Sequence, residues 1–280
     1  MTEATFEKFF DDAAVFPPGL APLERAVDEH IRRAADPVAS RFVGPLVLPV
    51  GQVEKAIELA GSSAIDINVV GPAEQIDDLK KIMSANTTDS RVVGAEFKLG
   101  SLEAPEALKA VADFASENSS IEVYLELPYE QVTDENLDFL AQHGINLKFR
   151  TGGVTADLFP SDTELVDVID KALRHELAFK FTAGLHRAMR YTDEETGFDH
   201  FGFANIGAAI DTLQRGGSRD DALAALNSTD SDAVSEKITA GDTEWREAFR
   251  SFGTCSVPEP TGTLRDLGLM RPETVERFEM

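Results

Sequence analysis

The sequence predicts an α/β chain folded as a (β/α)8 TIM-type barrel with an N-terminal helical extension. Three observations point there. Short strand-like apolar segments recur eight times within about 250 residues, the size of a single barrel domain. Segments of helical period separate most of them, and strands alternating with helices imply parallel pairing through right-handed crossovers. The 280 residues, 42% hydrophobic and 27% charged, have the composition of a globular chain with a substantial core.

The segments run in order. Residues 1–40 read as the helical extension, with APLERAVDEHIRRAA carrying helix-period apolar positions after the break FPPGLAP. Residues 41–280 read as the barrel domain. Its candidate strands are 45–51, 65–71, 92–100, 121–128, 145–153, 178–186, the short FGFAN at 201–205, and 251–257. Between them lie VEKAIELAG, EQIDDLKKIMSAN, PEALKAVADFASEN, ENLDFLAQHG and DTELVDVIDKALRHE. Ser161 or Asp162 is a candidate N-cap, and Gly61 and Gly144 are candidate helix ends. An open doubly wound sheet is the alternative architecture, but no G-x-G-x-x-G follows the first strand and no P-loop is present.

Charge and cysteine usage bound the function. A net charge of −24 disfavours nucleic acid and anionic membrane surfaces as partners, both of which need clustered Lys and Arg. A salt-adapted source could also produce that charge. With Cys255 as its one cysteine, the chain can form no intramolecular disulfide and no cysteine-based zinc site. No apolar run approaches the roughly 20 residues that span a bilayer. The acidic opening MTEATFEKFFDD lacks a signal-peptide pattern, so a cytoplasmic location is expected.

The strands carry the functional signal. Parallel strands covered on both faces are ordinarily continuous apolar runs, whereas five consecutive strands here alternate. Asp66 and Asn68 share one face in the first. Glu96 and Lys98 share one in the next, followed by Glu122, Tyr124 and Glu126, then Asn146, Lys148 and Arg150, and finally Lys180 and Thr182. The apolar faces must meet the helices, so the polar faces line the lumen. Burying such a ring requires partners. The structural alternative is a self-satisfied network in which Lys98, Lys148 and Lys180 pair with Glu96, Glu122 and Glu126.

In this fold, charges at the C-terminal strand ends are where chemistry resides. The turns after two strands, Thr151-Gly152-Gly153 and Ala183-Gly184, could cradle an anion with Arg150, Thr182 and Lys98 nearby, which suits a small anionic metabolite. Lys180 or Lys148 could form a Schiff base if neighbouring cations and burial lowered its pKa from about 10.4 toward 7. Glu126 could act as a base and His186 as a general acid or base. Glu96 and Glu126 oppose a depressed lysine pKa. No metal or other cofactor is expected, although Asp66, Glu96 and Glu126 could together hold Mg²⁺. Cys255 is expected to be a small buried apolar residue, and DDAAVFPPG (11–19) a cap over one end of the barrel, with placement of Asp11 or Asp12 at the rim as the alternative.

DDAAVFPPG, KFRTGGV, FKFTAGLH and FGTCSVPEP together resemble a family of uncharacterised bacterial (β/α)8-barrel proteins over most of the chain. KFTAG and KFRTGGV are also similar, more weakly, to segments of class I aldolases of the deoxyribose-phosphate type. That resemblance implies Lys180 as the Schiff-base former and Lys148 as the lysine that tunes it. The two segments occur in the opposite order here, and Arg150 stands where that family has a small residue. The expected function is a lyase or aldolase-like enzyme acting on a small anionic carbonyl or phosphorylated sugar. The alternatives are a cofactor-free isomerase or epimerase, with Lys180 as electrophile, and a non-catalytic anion-binding barrel. An oligomer is compatible with either.

Overall fold

The computed structural model describes residues 2–240 and 244–279. Eight parallel strands close into a barrel in the order β1-β10-β7-β6-β5-β4-β3-β2. The chain runs β1 (Phe10–Asp12), α1 (Leu23–Ala35), β2 (Val43–Pro49), α2 (Val53–Ala60), β3 (Asp66–Pro72), α3 (Ile76–Ala85) and β4 (Arg91–Lys98). It continues through α4 (Ala104–Glu117), β5 (Glu122–Glu126), α5 (Asp134–Gln142), β6 (Asn146–Arg150), α6 (Asp162–Arg174) and β7 (Phe179–Thr182). A hairpin, β8 (Tyr191–Thr192) with β9 (Asp199–His200), precedes α7 (Phe203–Gln214), α8 (Arg219–Leu226), α9 (Ser231–Thr239) and α10 (Trp245–Ala248). The last barrel strand, β10 (Phe249–Thr254), is followed by α11 (Pro258–Asp266) and α12 (Pro272–Val275).

The helix boundaries follow the local chemistry. Ser161 caps α6 in a reciprocal capping box with Glu164. Gly61 and Gly144 take the left-handed conformation that ends α2 and α5, at φ +60° and +64°.

Two expectations are corrected. The first 40 residues are not an extension, because Phe10–Asp12 pairs with both β10 and β2 and closes the barrel. DDAAVFPPG therefore begins in the barrel wall rather than capping it. A three-residue strand is too short to show a period of two. Asp12 faces outward, where it accepts from Arg33 at 3.0 Å and lies 3.2 Å from His30 Nδ1, fixing α1 against β1.

The second correction concerns FGFAN. Phe203 begins helix α7 instead of a strand. A short apolar run does not distinguish strand from buried helix. Here every residue from Phe203 to Thr212 is buried, and an all-round apolar helix needs cover on all sides. The barrel wall meets it through Phe10 and Phe252 against Phe203, and α8 and α9 provide cover on the other side.

On the outside of β1, β7 and β10 sits an aromatic cluster. Phe9 meets Phe249, Phe252, Trp245 and Phe203 edge-on, with ring centroids 4.9–6.0 Å apart.

Candidate functional site

The strand alternation resolves as expected. Register places Glu96 beside Tyr124, and Glu126 beside Lys148, which lies beside Lys180. All of these point into the lumen, and their odd-numbered neighbours Phe97, Leu125, Leu147, Phe149, Phe179 and Phe181 join the apolar core outside. Asp66 departs from this pattern. It sits exposed at the start of β3 and pairs with Arg91 at 2.8 Å, so the imagined Mg²⁺ trio with Glu96 and Glu126 does not assemble.

A continuous chain of ion pairs crosses the lumen. Lys180 Nζ lies 2.5 Å from Asp11 and 2.5 Å from Glu96. Glu96 also meets Lys148 at 2.7 Å, and Lys148 meets Glu126 at 3.2 Å. Arg150 Nε ends the chain at 3.4 Å from Glu126. Ser251 donates to Asp11 at 2.8 Å, Asn68 Nδ2 donates to Glu96, and Lys180 stands 5.1 Å from the centroid of the Tyr124 ring. The Tyr124 hydroxyl donates to Glu122. The lysine pairing is thus close to the structural alternative, with Asp11 as an added partner. Lys98 is exposed at the end of β4 and takes no part.

The pKa shifts follow from this geometry. Burial opposes the charged forms of the two lysines and their carboxylate partners, yet the two lysines beside Glu96 outweigh it and hold that carboxyl down at about 2. Glu126 is lowered for the same reason, by Lys148 and then Arg150. Lys148 and Lys180 are both raised, since their carboxylate partners overcome desolvation. Asp11 moves the other way, because its burial exceeds the pull of Lys180. Asp11 thus lies inside the lumen rather than at its rim; the acidic pair after FEKFF signals it, and the shortness of β1 hides which of the two faces inward.

At the C-terminal rim, the two glycine-bearing turns serve each other. A Cβ on Gly152 would stand 2.9 Å from Gly184 Cα, and Gly184 needs φ +81°. Thr151 N–H donates to Thr182 O at 2.9 Å, and its hydroxyl donates to Ala183 O at 2.6 Å. The glycines thus let β6 and β7 close side by side, and the Thr151 hydroxyl is already committed. Gly153 packs against Leu158, and Thr182 is half-buried. Phe159 seats on Gly152 and lines a cavity of about 250 Å³ beside the hairpin, with Arg190 and His200. Sequence reasoning had assigned nothing to these two residues.

His186 sits at the same rim, 3.4 Å from Glu259. The half-buried Cys255 and then Glu259 raise its imidazole to about 9, so it is an imidazolium at neutral pH. Cys255 is half-buried at this rim, less enclosed than the small buried residue expected. Among the described residues no group of three His, Cys, Asp or Glu side chains gathers as a metal site, and no helix is long and apolar enough to cross a membrane.

No family model matches the chain, and no curated protein is similar to it. Among solved structures, it is similar to a dihydropteroate synthase from Xanthomonas albilineans in complex with indole-2-carboxylic acid and 6-chloroguanine. The two are 12% identical with a TM-score of 0.43, over 95% of this chain and 93% of that one. It is also similar to a chain from Toxoplasma gondii ME49 provisionally named a deoxyribose-phosphate aldolase. That pair is 12% identical with a TM-score of 0.45, over 98% of this chain and 95% of the other. Likenesses this distant carry no functional argument, and the (β/α)8 barrel stands on its own closed parallel strand pairing.

Proposed function

We propose that the chain is an enzyme of the lyase or aldolase-like class, acting on a small anionic carbonyl compound or phosphorylated sugar at the C-terminal end of the lumen. The observation that carries this reading is the ion-pair chain from Asp11 to Arg150. Its last member alone reaches well into solvent, with 40% of its side chain exposed against 15% for Glu126. Arg150 suits an anion because its planar guanidinium binds phosphate or carboxylate through two donors. As it turns to the ligand, Glu126 loses one of the two cations that depress it and becomes a stronger base. Lys148, held between Glu96 and Glu126, then serves as a fixed cation for an oxygen that gains negative charge, a preorganised role that requires no neutral amine. His186, with its raised pKa, supplies a general acid.

The Schiff-base route through Lys180 or Lys148 asks more of the site. Both lysines hold their protons against adjacent carboxylates, so nucleophilic attack must follow transfer of a proton to a partner. For Lys180 that partner is Asp11, whose carboxyl burial pushes up. The same complete pairing favours a second reading, a barrel that binds the anion without turning it over.

One set of measurements separates these readings. The protein is incubated in D2O with a panel of aldehydes, keto acids and sugar phosphates, and exchange at the carbon next to the carbonyl is followed by NMR. Exchange that falls by about 10²–10⁴ in Glu126→Gln supports the carbon-acid reading. Borohydride trapping of an adduct on Lys180 or Lys148 assigns the Schiff-base route, and exchange without an adduct assigns the electrostatic one. If anions raise Tm through Arg150 yet neither exchange nor adduct is seen, the enzyme reading fails and the binding barrel stands.

A further inference from the structure

The lumen also opens at its other end. A cavity of about 480 Å³ is lined by Lys8, Pro45, Gly94, Glu122 and Arg250 near its entrance, and by Asn68, Tyr124, Lys180 and Ser251 deeper in. Lys8 precedes β1, Glu122 is the first residue of β5, and Pro45, Gly94 and Arg250 lie near the starts of β2, β4 and β10. In a parallel barrel these positions share one mouth. It is the N-terminal mouth, opposite the rim of Arg150 and His186.

Three features single this cavity out. The first is charge: four cations (Lys8, Lys180, Arg246, Arg250) face it against two carboxylates, Asp11 and Glu122. Among the described residues, Lys8 and Arg246 bond to carbonyls instead of carboxylates. Lys8 Nζ donates to Val43 O at 3.0 Å, and Arg246 donates to Thr5 O at 2.8 Å and Arg250 O at 2.6 Å. Their positive charge is therefore fixed in place without a carboxylate hydrogen-bonded to either, in a chain of net charge −24. Burial brings the Arg246 guanidinium down to about 10 against the opposing pull of Asp11, with the neighbouring Arg250 adding to the fall.

The second is an unmet hydrogen bond. Asn68 is 2% exposed, donates through Nδ2 to Glu96, and leaves Oδ1 with no donor. Buried amide oxygens are ordinarily satisfied. This one points past Gly94, where a Cβ would sit only 2.5 Å from it. Glycine at position 94 is what lets the amide sit at the cavity wall. The third is Lys8 itself, a non-glycine residue held at φ +53°, a conformation that is uncommon and tends to mark functional positions.

We propose that the N-terminal mouth is a binding site for a small hydroxylated anion of the phosphorylated-polyol class. The anionic group lies among Lys8, Arg246 and Arg250, and a hydroxyl donates to Asn68 Oδ1. A volume of about 480 Å³ falls in the lower part of the range of small-molecule sites. The inference is independent of the chemistry proposed at the C-terminal rim, and the test distinguishes the two ends.

Isothermal titration and thermal unfolding are run at fixed ionic strength with glycerol 3-phosphate, inorganic phosphate and glycerol. They are applied to the wild type, Arg250→Ala, Lys8→Ala and Arg150→Ala. The expected result is binding of glycerol 3-phosphate at least tenfold tighter than phosphate, and no effect of glycerol. Arg250→Ala and Lys8→Ala, both at exposed positions that leave the core intact, should each weaken it about tenfold, and Arg150→Ala should leave it unchanged. Loss of binding in Arg150→Ala alone, or no binding by the wild type at 10 mM ligand, overturns the proposal. Equal affinity for phosphate and glycerol 3-phosphate removes the role of Asn68. Asn68→Leu, whose fold is checked by circular dichroism, gives a second reading, since it should abolish the preference for the hydroxylated ligand.

Discussion

The two faces of the same strands make two interiors of opposite kinds. Outside β1, β7 and β10, Phe9 packs edge-on against Trp245, Phe249 and Phe252, and Phe10 packs edge-on against Phe203. Inside, one residue along, Asp11 and Lys180 meet at 2.5 Å. Both regions are fully buried, yet they fail differently. The aromatic shell depends on contact area and filled volume, which decline gradually as atoms are removed. The ionic lumen depends on pairing, and loss of one member leaves its partners charged and dry.

The sharpest way to break this comparison is Lys180→Met. It removes the cation shared by Asp11 and Glu96, and the expected loss is about 3–5 kcal/mol in urea unfolding at pH 7. The loss should shrink at pH 3, where the stranded carboxylates take up protons. A loss independent of pH means that the lysine acts through its packing alone.

Phe9→Ala should cost about 3 kcal/mol by the same assay, through the cavity left among its neighbours. That cost should be the same at pH 3 as at pH 7. Equal pH sensitivity in the two variants would erase the distinction between the faces.

The wild type itself carries the next signature. Glu96 ionises near 2 in the folded chain and near 4.3 when unfolded, and Glu126 is lowered as well. Their stabilisation is complete above the unfolded value and declines as pH falls from about 5 toward 2. Acid titration of Tm should show this decline, and Glu126→Gln should flatten part of it.

His186 has the opposite sign. Its folded value near 9 lies above an unfolded value near 6.5. Its contribution is complete below about 6.5 and is lost as pH rises through 9. His186→Gln should remove that alkaline loss, and Cys255→Ala should lower the imidazole pKa measured by NMR.

The smallest effect belongs to the surface. Arg32 and Asp28 pair at 3.0 Å with both side chains more than half exposed, and Arg32→Ala should change stability by less than about 0.5 kcal/mol. The contrast with Lys180→Met is chiefly one of burial, because each substitution removes a cation paired with carboxylate.

Much of the barrel was legible before any coordinates. The alternation in INLKFR and AFKFT placed Lys148 and Lys180 in the lumen correctly, since a period of two leaves only two faces. The helices with Ser161 and Gly144 at their ends were legible for a similarly local reason. The missed elements share a cause. β1 has only three residues, and FGFAN fits either a strand or the start of α7, so no local period could identify them. The site was legible in its residue types but less so in its partners. Asp11 reaches Lys180 from 169 positions away in the chain, and the turn glycines Gly152 and Gly184 proved to serve strand approach.

What the sequence determined by itself was therefore periodic: barrel class, polar lumen, and the set of charges within it. Tertiary structure decided which charges meet. Periodicity is local, whereas the pairing of Lys180 with Asp11 exists only because β1 and β10 close the ring. Closure also set the lysine pKa values, because the approach of Asp11, Glu96 and Glu126 outweighs desolvation, and it left Asn68 Oδ1 buried without a donor beside the N-terminal mouth.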